Sequence, residues 1–303
     1  LLRNGFDLTI RDLDDSLVSK FIDQGASSIG SPKEMAELCD VVITCLPSPI
    51  ACSEVMEAED GVIAGLTEGK IWLEMSTTDE AEIRRIGSLV ESTGALPIDC
   101  PVSGGCHRAD TGNISIFAGC KREAFERVLP ILTTMGRRVL HTGDLGTAST
   151  LKVMTNYLAT VNLVSISEAL STMKVLGMDM NVTYEAIKAS SGNSFVHETE
   201  SQVILNGSRD ISFTMDLVSK DVGIFNELAE RKGLDLEIAP MIVDIFKDGE
   251  KRYGSREFSP NIIKRMEERA NIEVLGVGFP SEMIDDEPEE KGYEVVIRNR
   301  QDS

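Results

Sequence analysis

The sequence is poor in several things at once. Aromatic residues are only 5% of its 303 positions, with one tryptophan, and the three histidines (His107, His141, His197) lie far apart. Basic residues are outnumbered, 30 Lys and Arg against 50 Asp and Glu, for a net charge of -20 and an isoelectric point of about 4.6. No basic stripe offsets that charge, which argues against nucleic acid and anionic membrane surfaces as partners. No apolar run approaches the roughly 20 residues that span a bilayer. The six cysteines (Cys39, Cys45, Cys52, Cys100, Cys106, Cys120) form no CxxC pair and have no histidine at ligand spacing. They read as reduced thiols of a cytoplasmic protein with no metal site. There is neither an initiating Met nor a signal-peptide pattern. Leu1-Leu2-Arg3-Asn4 followed by Gly5 reads as the last turn of a helix with a glycine cap, so a front end is expected upstream.

What is present is ordinary for a globular enzyme: 42% hydrophobic and 26% charged residues. The length suggests two domains. Apolar or β-rich runs at 8–12, 26–29, 41–46, 71–75, 96–99, 114–119 and 138–141 alternate with helical patterns. Ser31-Pro32 opens one of these helices, and Ser76-Thr77-Thr78-Asp79 caps another. This alternation predicts a doubly wound α/β parallel sheet over residues 1–145. From 146 to 270 the pattern is helical throughout, led by a long apolar helix over 150–177 that suits a buried or subunit-contact position. Helices are also expected at 182–190, 213–232, 239–253 and 262–268, and an acidic tail, partly extended at 293–297, covers 271–303.

Several segments can carry chemistry. Asp12 follows the strand Leu8–Arg11, where an acidic residue can bind the ribose hydroxyls of a dinucleotide; it is equally an ordinary turn residue. Leu46-Pro47-Ser48-Pro49 and Ser76-Thr77-Thr78 sit beyond carboxyl ends of strands, the binding edge of open α/β sheets. Capping is the default reading for the second group. Asp99-Cys100-Pro101-Val102-Ser103-Gly104-Gly105 ends in a turn that offers a hydroxyl and bare backbone N–H groups, suited to a carboxylate or simply a glycine turn. Lys152 and Asn156 share one face of the long helix. A lysine in an apolar wall is costly unless paired or neutral, and so suits acid–base work; the plainer reading is a lysine at the solvent end of a helix. Lys220-Asp221 alone reads as a surface charge pair.

Together these motifs resemble the β-hydroxyacid dehydrogenase family, of the 3-hydroxyisobutyrate dehydrogenase-like type. The resemblance rests on Asp99–Gly105, on Gly143-Asp144-Leu145-Gly146-Thr147-Ala148-Ser149-Thr150-Leu151-Lys152-Val153-Met154-Thr155-Asn156, and on Lys220-Asp221, and it covers about residues 1–270. It implies a Rossmann-type NAD(P)-binding domain followed by an all-helical domain, with the active site between them. It further implies Lys152 as catalytic acid/base; Ser103, Gly104, Gly105 and Asn156 as substrate contacts; and Leu46, Pro47, Thr77 and Lys220 as cofactor contacts beside Asp12. NAD is favoured over NADP on the charge of Asp12, although Arg11 stands next to it. Residues 106–108 and 191–195 would select among hydroxy acids, and a homodimer or homotetramer is expected. The sequence departs from the family pattern at Ala148, where glycine is usual. It also lacks the family's first strand and Gly-x-Gly-x-x-Gly loop, which implies that Leu1 begins partway into a longer product and that residues 1–303 alone turn over poorly. The alternatives are a reductase of an aldehyde acid such as tartronate semialdehyde, and a non-catalytic dinucleotide-binding scaffold.

Overall fold

The computed structural model describes residues 1–297. The chain forms two compact units. One holds Leu1–Gly104, Arg108–Lys152 and the described residues from Glu287 onward; the other holds Gly105–His107 and Val153–Asp286. The division falls inside a helix, just after Lys152.

In the first unit strands and helices alternate. The order is β1 (Thr9–Ile10), α1 (Asp15–Ile22), β2 (Ser27–Ser28), α2 (Pro32–Leu38), β3 (Val41–Thr44), α3 (Pro49–Glu57), α4 (Val62–Gly65), β4 (Ile71–Glu74), α5 (Glu80–Ser92), β5 (Leu96–Asp99) and β6 (Val102–Ser103). α6 (Cys106–Thr111, whose first two residues group with the second unit), β7 (Ser115–Gly119), α7 (Arg122–Met135), β8 (Arg138–Gly143) and the opening turns of α8 (Thr147–Val175) follow. Ser31 caps α2 in a full capping box with Glu34, with Pro32 in the first turn. At α3 Ser48 accepts from Ala51 N with Pro49 in the first turn, without a reciprocal side-chain bond, so Pro47-Ser48-Pro49 starts a helix as well as ending a strand. At α5 the cap is Asp79, whose carboxylate accepts from Ala81 N and Glu82 N. The hydroxyls of Ser76, Thr77 and Thr78 are therefore not the cap.

The main sheet runs β3-β4-β5-β7-β8-β9, where β9 is Tyr293–Glu294, and β6 pairs with β7. β3, β4 and β5 are mutually parallel, as are β7 with β8 and β8 with β9. β7 runs antiparallel to β5 and β6, so the sheet is not wholly parallel. The cause is local: α6 lies within a hairpin-like return from β6 to β7 instead of a crossover. β1 and β2 form a separate parallel pair. Both faces of the main sheet are covered. Ile71 and Leu73 of β4 pack with Ile98, Ile116, Phe125 and Leu132, while Trp72 between them packs with Met56, Ile83, Ile86 and Val90. Such two-sided burial is why these strands read as continuous apolar runs.

The second unit contains the rest of α8, then α9 (Met180–Lys188), α10 (Phe195–Asn206), α11 (Met215–Glu230), α12 (Ile238–Tyr253) and α13 (Lys264–Ala270). Leu163, Leu170, Ile204, Met215, Val222, Phe246 and Ile263 form its core. α10 has no counterpart among the expected helices. Its buried His197 places Nε2 2.9 Å from the Tyr184 carbonyl and Nδ1 3.0 Å from Ser201 Oγ. A carbonyl only accepts, so Nε2 carries the hydrogen and Ser201 donates to Nδ1. Burial lowers the His197 pKa, so this is a neutral core group. Among the described residues, no helix is long and apolar enough to cross a membrane.

Candidate active site

The carboxyl ends of β3 and β4 carry a buried polar network centred on Glu74, which is fully buried. Its carboxylate accepts from Thr44 Oγ1 (2.7 Å), Cys52 Sγ (2.8 Å) and Ser76 N (2.7 Å). Trp72 Nε1 donates to Thr44 Oγ1 at 2.8 Å, and Leu46 N donates to Ser76 Oγ at 2.7 Å. A buried carboxylate is tolerable only when its lone pairs are used, as they are here. The network fixes the turn that presents Leu46 and Pro47. It also commits the Leu46 N–H, so Leu46 can offer a dinucleotide its side chain and carbonyl.

Thr77 is half-buried beside it, and the neighbouring Thr78 hydroxyl is buried without a hydrogen-bond partner. Asp12 is exposed just beyond β1, with Oδ1 accepting from Asp14 N at 2.9 Å. An orphaned hydroxyl at the strand ends and an outward acidic group after β1 fit a dinucleotide with a ribose to hold. Asp12, Leu46, Pro47 and Thr77 are the residues of this unit that would hold it.

β5 leads through Cys100 and Pro101 into β6, which ends at Ser103. Gly104 (φ +133°) and Gly105 (φ +86°) follow in conformations that side chains rarely adopt. A Cβ on Gly104 would also stand 3.2 Å from Arg108 Cδ. The turn thus needs glycine, and it offers the Ser103 hydroxyl beside bare main chain.

Lys152 lies in the opening turns of α8 and is only 8% exposed, which excludes the reading of a solvated lysine at a helix end. The start of this helix is tied to the strand before the Ser103 turn. Asp99 accepts from Ser149 N (2.8 Å) and Ser149 Oγ (2.7 Å). A carboxylate among the first N–H groups of a helix is well placed for the helix dipole. Burial nonetheless outweighs these bonds and raises the Asp99 pKa to about 6.

In the second unit, Asn156 and Lys220 meet at one carboxylate. Asn156 Nδ2 donates to Asp221 Oδ2 at 2.6 Å, and Lys220 Nζ lies 3.0 Å from Asp221 Oδ1. Asp221 is 2% exposed, so the Lys220-Asp221 pair is not the surface pair that the two residues suggest in isolation. Asp221, Asp99 with Ser149, and Glu74 are the supporting residues that sequence reasoning did not assign. The helical phase of Asp221 with Val218 and Val222 on α11 is the signal that could have shown the first. Among the described residues, no group of three or more His, Cys, Asp or Glu side chains could hold a metal ion.

Residues 1–143 match the family described as the NAD binding domain of 6-phosphogluconate dehydrogenase, and residues 146–265 that described as NAD-binding of NADP-dependent 3-hydroxyisobutyrate dehydrogenase. An NAD-dependent L-serine dehydrogenase from Pseudomonas aeruginosa is 30% identical over 86% of this chain and 90% of its own length. A 2-(hydroxymethyl)glutarate dehydrogenase from Eubacterium barkeri is 28% identical over 91% of this chain and 92% of its own. The crystal structure of a 3-hydroxyisobutyrate dehydrogenase from Salmonella typhimurium has the same fold, with a TM-score of 0.79 at 24% identity over 87% of this chain and 93% of the other. On these relationships the chain belongs to the β-hydroxyacid dehydrogenase family of NAD(P)-dependent oxidoreductases.

Proposed function

We propose that the protein interconverts a small β-hydroxy acid and its carbonyl form, with Lys152 as general acid/base. The observation that carries this reading is the burial of Lys152 on a helix start that Ser149 anchors to Asp99, four residues ahead of Ser103. A buried amine on a fixed helix turn exchanges its proton with a bound partner instead of with bulk water. During oxidation Lys152 Nζ takes the proton of the substrate hydroxyl; during reduction it returns one to the carbonyl oxygen. The Ser103 hydroxyl and the main chain of Gly104 and Gly105 receive the carboxylate. Asn156, oriented by Asp221, contacts the hydroxyl-bearing end, and Lys220 serves the cofactor. Bound NAD(P) supplies the hydride acceptor or donor. NAD is the proposed preference, because Asp12 would meet a 2′-phosphate with like charge.

The dehydrogenase activities named for the relatives support this reading over a scaffold role or a dedicated aldehyde-acid reductase. The test is a panel of 3-hydroxyisobutyrate, L-serine, 2-(hydroxymethyl)glutarate and a matched alcohol without the carboxylate, each with NAD and with NADP, read as reduced nicotinamide. Turnover of at least one acid is expected, with the alcohol at least about 100-fold poorer in kcat/KM. Equal rates with the alcohol would sink the proposal. We also propose a cytoplasmic homodimer or homotetramer, since Leu158, Val175 and Leu176 on or beside α8 stay exposed. Light scattering at the 33.1 kDa monomer mass would contradict the assembly.

A further inference from the structure

The acidic C-terminal segment is absorbed by neither the dinucleotide site nor the proton transfer, yet it is built into the first unit. β9 adds to β8 in parallel register, with Tyr293 N donating to Arg137 O (3.0 Å) and Val295 N to Val139 O (2.8 Å). Gly292 N donates to Thr133 O at 3.0 Å, and a Cβ on Gly292 would fall 1.9 Å from the Gly136 carbonyl oxygen. Gly292 thus permits a close backbone approach that any side chain would block. Arg122 Nη2 donates to Glu294 Oε2 at 2.9 Å, and Arg137 pairs with Glu290. At the head of this seated segment stands Glu287. Its carboxylate accepts from Arg108 Nη2 (2.8 Å) and from Arg138 Nη2 (3.2 Å), and its carbonyl accepts from Asn113 Nδ2 (3.0 Å).

We infer that Glu287 is a positioning residue for the substrate turn, setting the pose of Ser103–Gly104 through the Arg108 side chain. Arg108 packs directly against that turn. Its Cδ and Cβ lie 3.2 and 3.6 Å from where a Cβ of Gly104 would stand. Its carbonyl accepts from Asn113 N at 2.8 Å, so Glu287 bonds the return from β6 to β7 at two linked points, Arg108 within α6 and Asn113 just before β7. β8 provides the fixed reference through Arg138. The two ion pairs are half-buried, where a charge-assisted bond orients a side chain more firmly than at an open surface. A glycine turn has no side chain of its own to resist motion, so its order must come from neighbours. Arg108, held by Glu287, is one such neighbour.

The substrate part of this inference rests on the proposed carboxylate site, and its test separates the two. Hydrogen exchange of the whole protein, followed by peptide mass, is compared for wild type, Glu287→Ala, Glu287→Gln and the neighbouring Glu289→Ala. In Glu287→Ala the amides of 103–113 are expected to exchange about tenfold faster or more, with 71–75 unchanged. KM for the hydroxy acid should rise about tenfold, with kcat and the dinucleotide Kd within about twofold. Glu287→Gln should fall between, and it replaces the alanine variant if that one fails to fold. Glu289→Ala removes the same charge and should behave as wild type. Unchanged exchange at 103–113, or faster exchange with an unchanged KM, overturns the inference while leaving the proposed function standing. A wild type that turns over no hydroxy acid refutes the proposed function and the KM expectation together, whatever the exchange data show.

Discussion

Lys152→Ala is expected to lower kcat by about 10²- to 10⁴-fold, the usual range for removal of a positioned acid or base. Dinucleotide affinity should be nearly unchanged. Cofactor-site candidates of the first unit lie at the strand ends around Leu46, Pro47, Thr77 and Asp12, whereas Lys152 stands on the opening turns of α8. The substitution truncates a buried side chain, but Ala keeps the helix propensity and Ser149 keeps its anchor on Asp99, so the start of α8 should persist. Lys152→Arg should also be impaired, since a guanidinium does not give up a proton at neutral pH. Turnover within a few-fold of wild type in Lys152→Ala, with the fold intact by circular dichroism, would remove the basis of the mechanism.

The second large effect concerns pH. The Asp99 carboxyl has a folded pKa of about 6 against an ordinary 3.8, and burial is the main cause. Well below pH 3.8 the group is protonated in both states and adds no pH dependence. As pH rises, the unfolded chain gives up this proton first, so unfolding gains an advantage that is complete once pH passes about 6. The loss is on the order of 3 kcal/mol at the standard conversion of about 1.4 kcal/mol per pKa unit. Denaturant titrations of wild type and Asp99→Asn at pH 4 and pH 7.5 isolate the group from other carboxyls. The stability difference should move by about 2.4 kcal/mol in favour of the asparagine variant across that interval. A difference that stays flat would mean that the Ser149 bonds compensate burial fully.

Much of the first unit is legible in the sequence because two-sided burial forces apolar runs such as Val41–Thr44 and Ile71–Leu73. The Ser-Gly-Gly turn is legible because only glycine takes the backbone it needs. What escapes is nonlocal or masked by polar residues. α10 hides behind His197, Glu198, Thr199, Glu200 and Ser201, whose polarity conceals a helix that buries His197 and Ser201 through mutual bonds. α7 carries Pro130 in its interior, a residue that ordinarily ends a helical pattern. The reversal of β7 depends on a hairpin-like return that no periodicity records. Asp221 resembles a solvated partner of Lys220 until the packing of α11 buries it. The stretch expected to be extended at 293–297 does hold β9 at Tyr293–Glu294, but its pairing partner, β8, lies on the far side of the helical unit in sequence and leaves no local signal.

That last arrangement bears on how the polypeptide matures at the ribosome. The final ribbon of the nucleotide-binding sheet is translated only after every helix from α9 to α13 has emerged. Until then β8 is a naked margin, with backbone donors and acceptors open to mispairing. Its closure must await a long-range loop that encloses an entire second folding unit, a slow step by topology. Nascent chains arrested before residue 287 should therefore be the most aggregation-prone intermediates of synthesis.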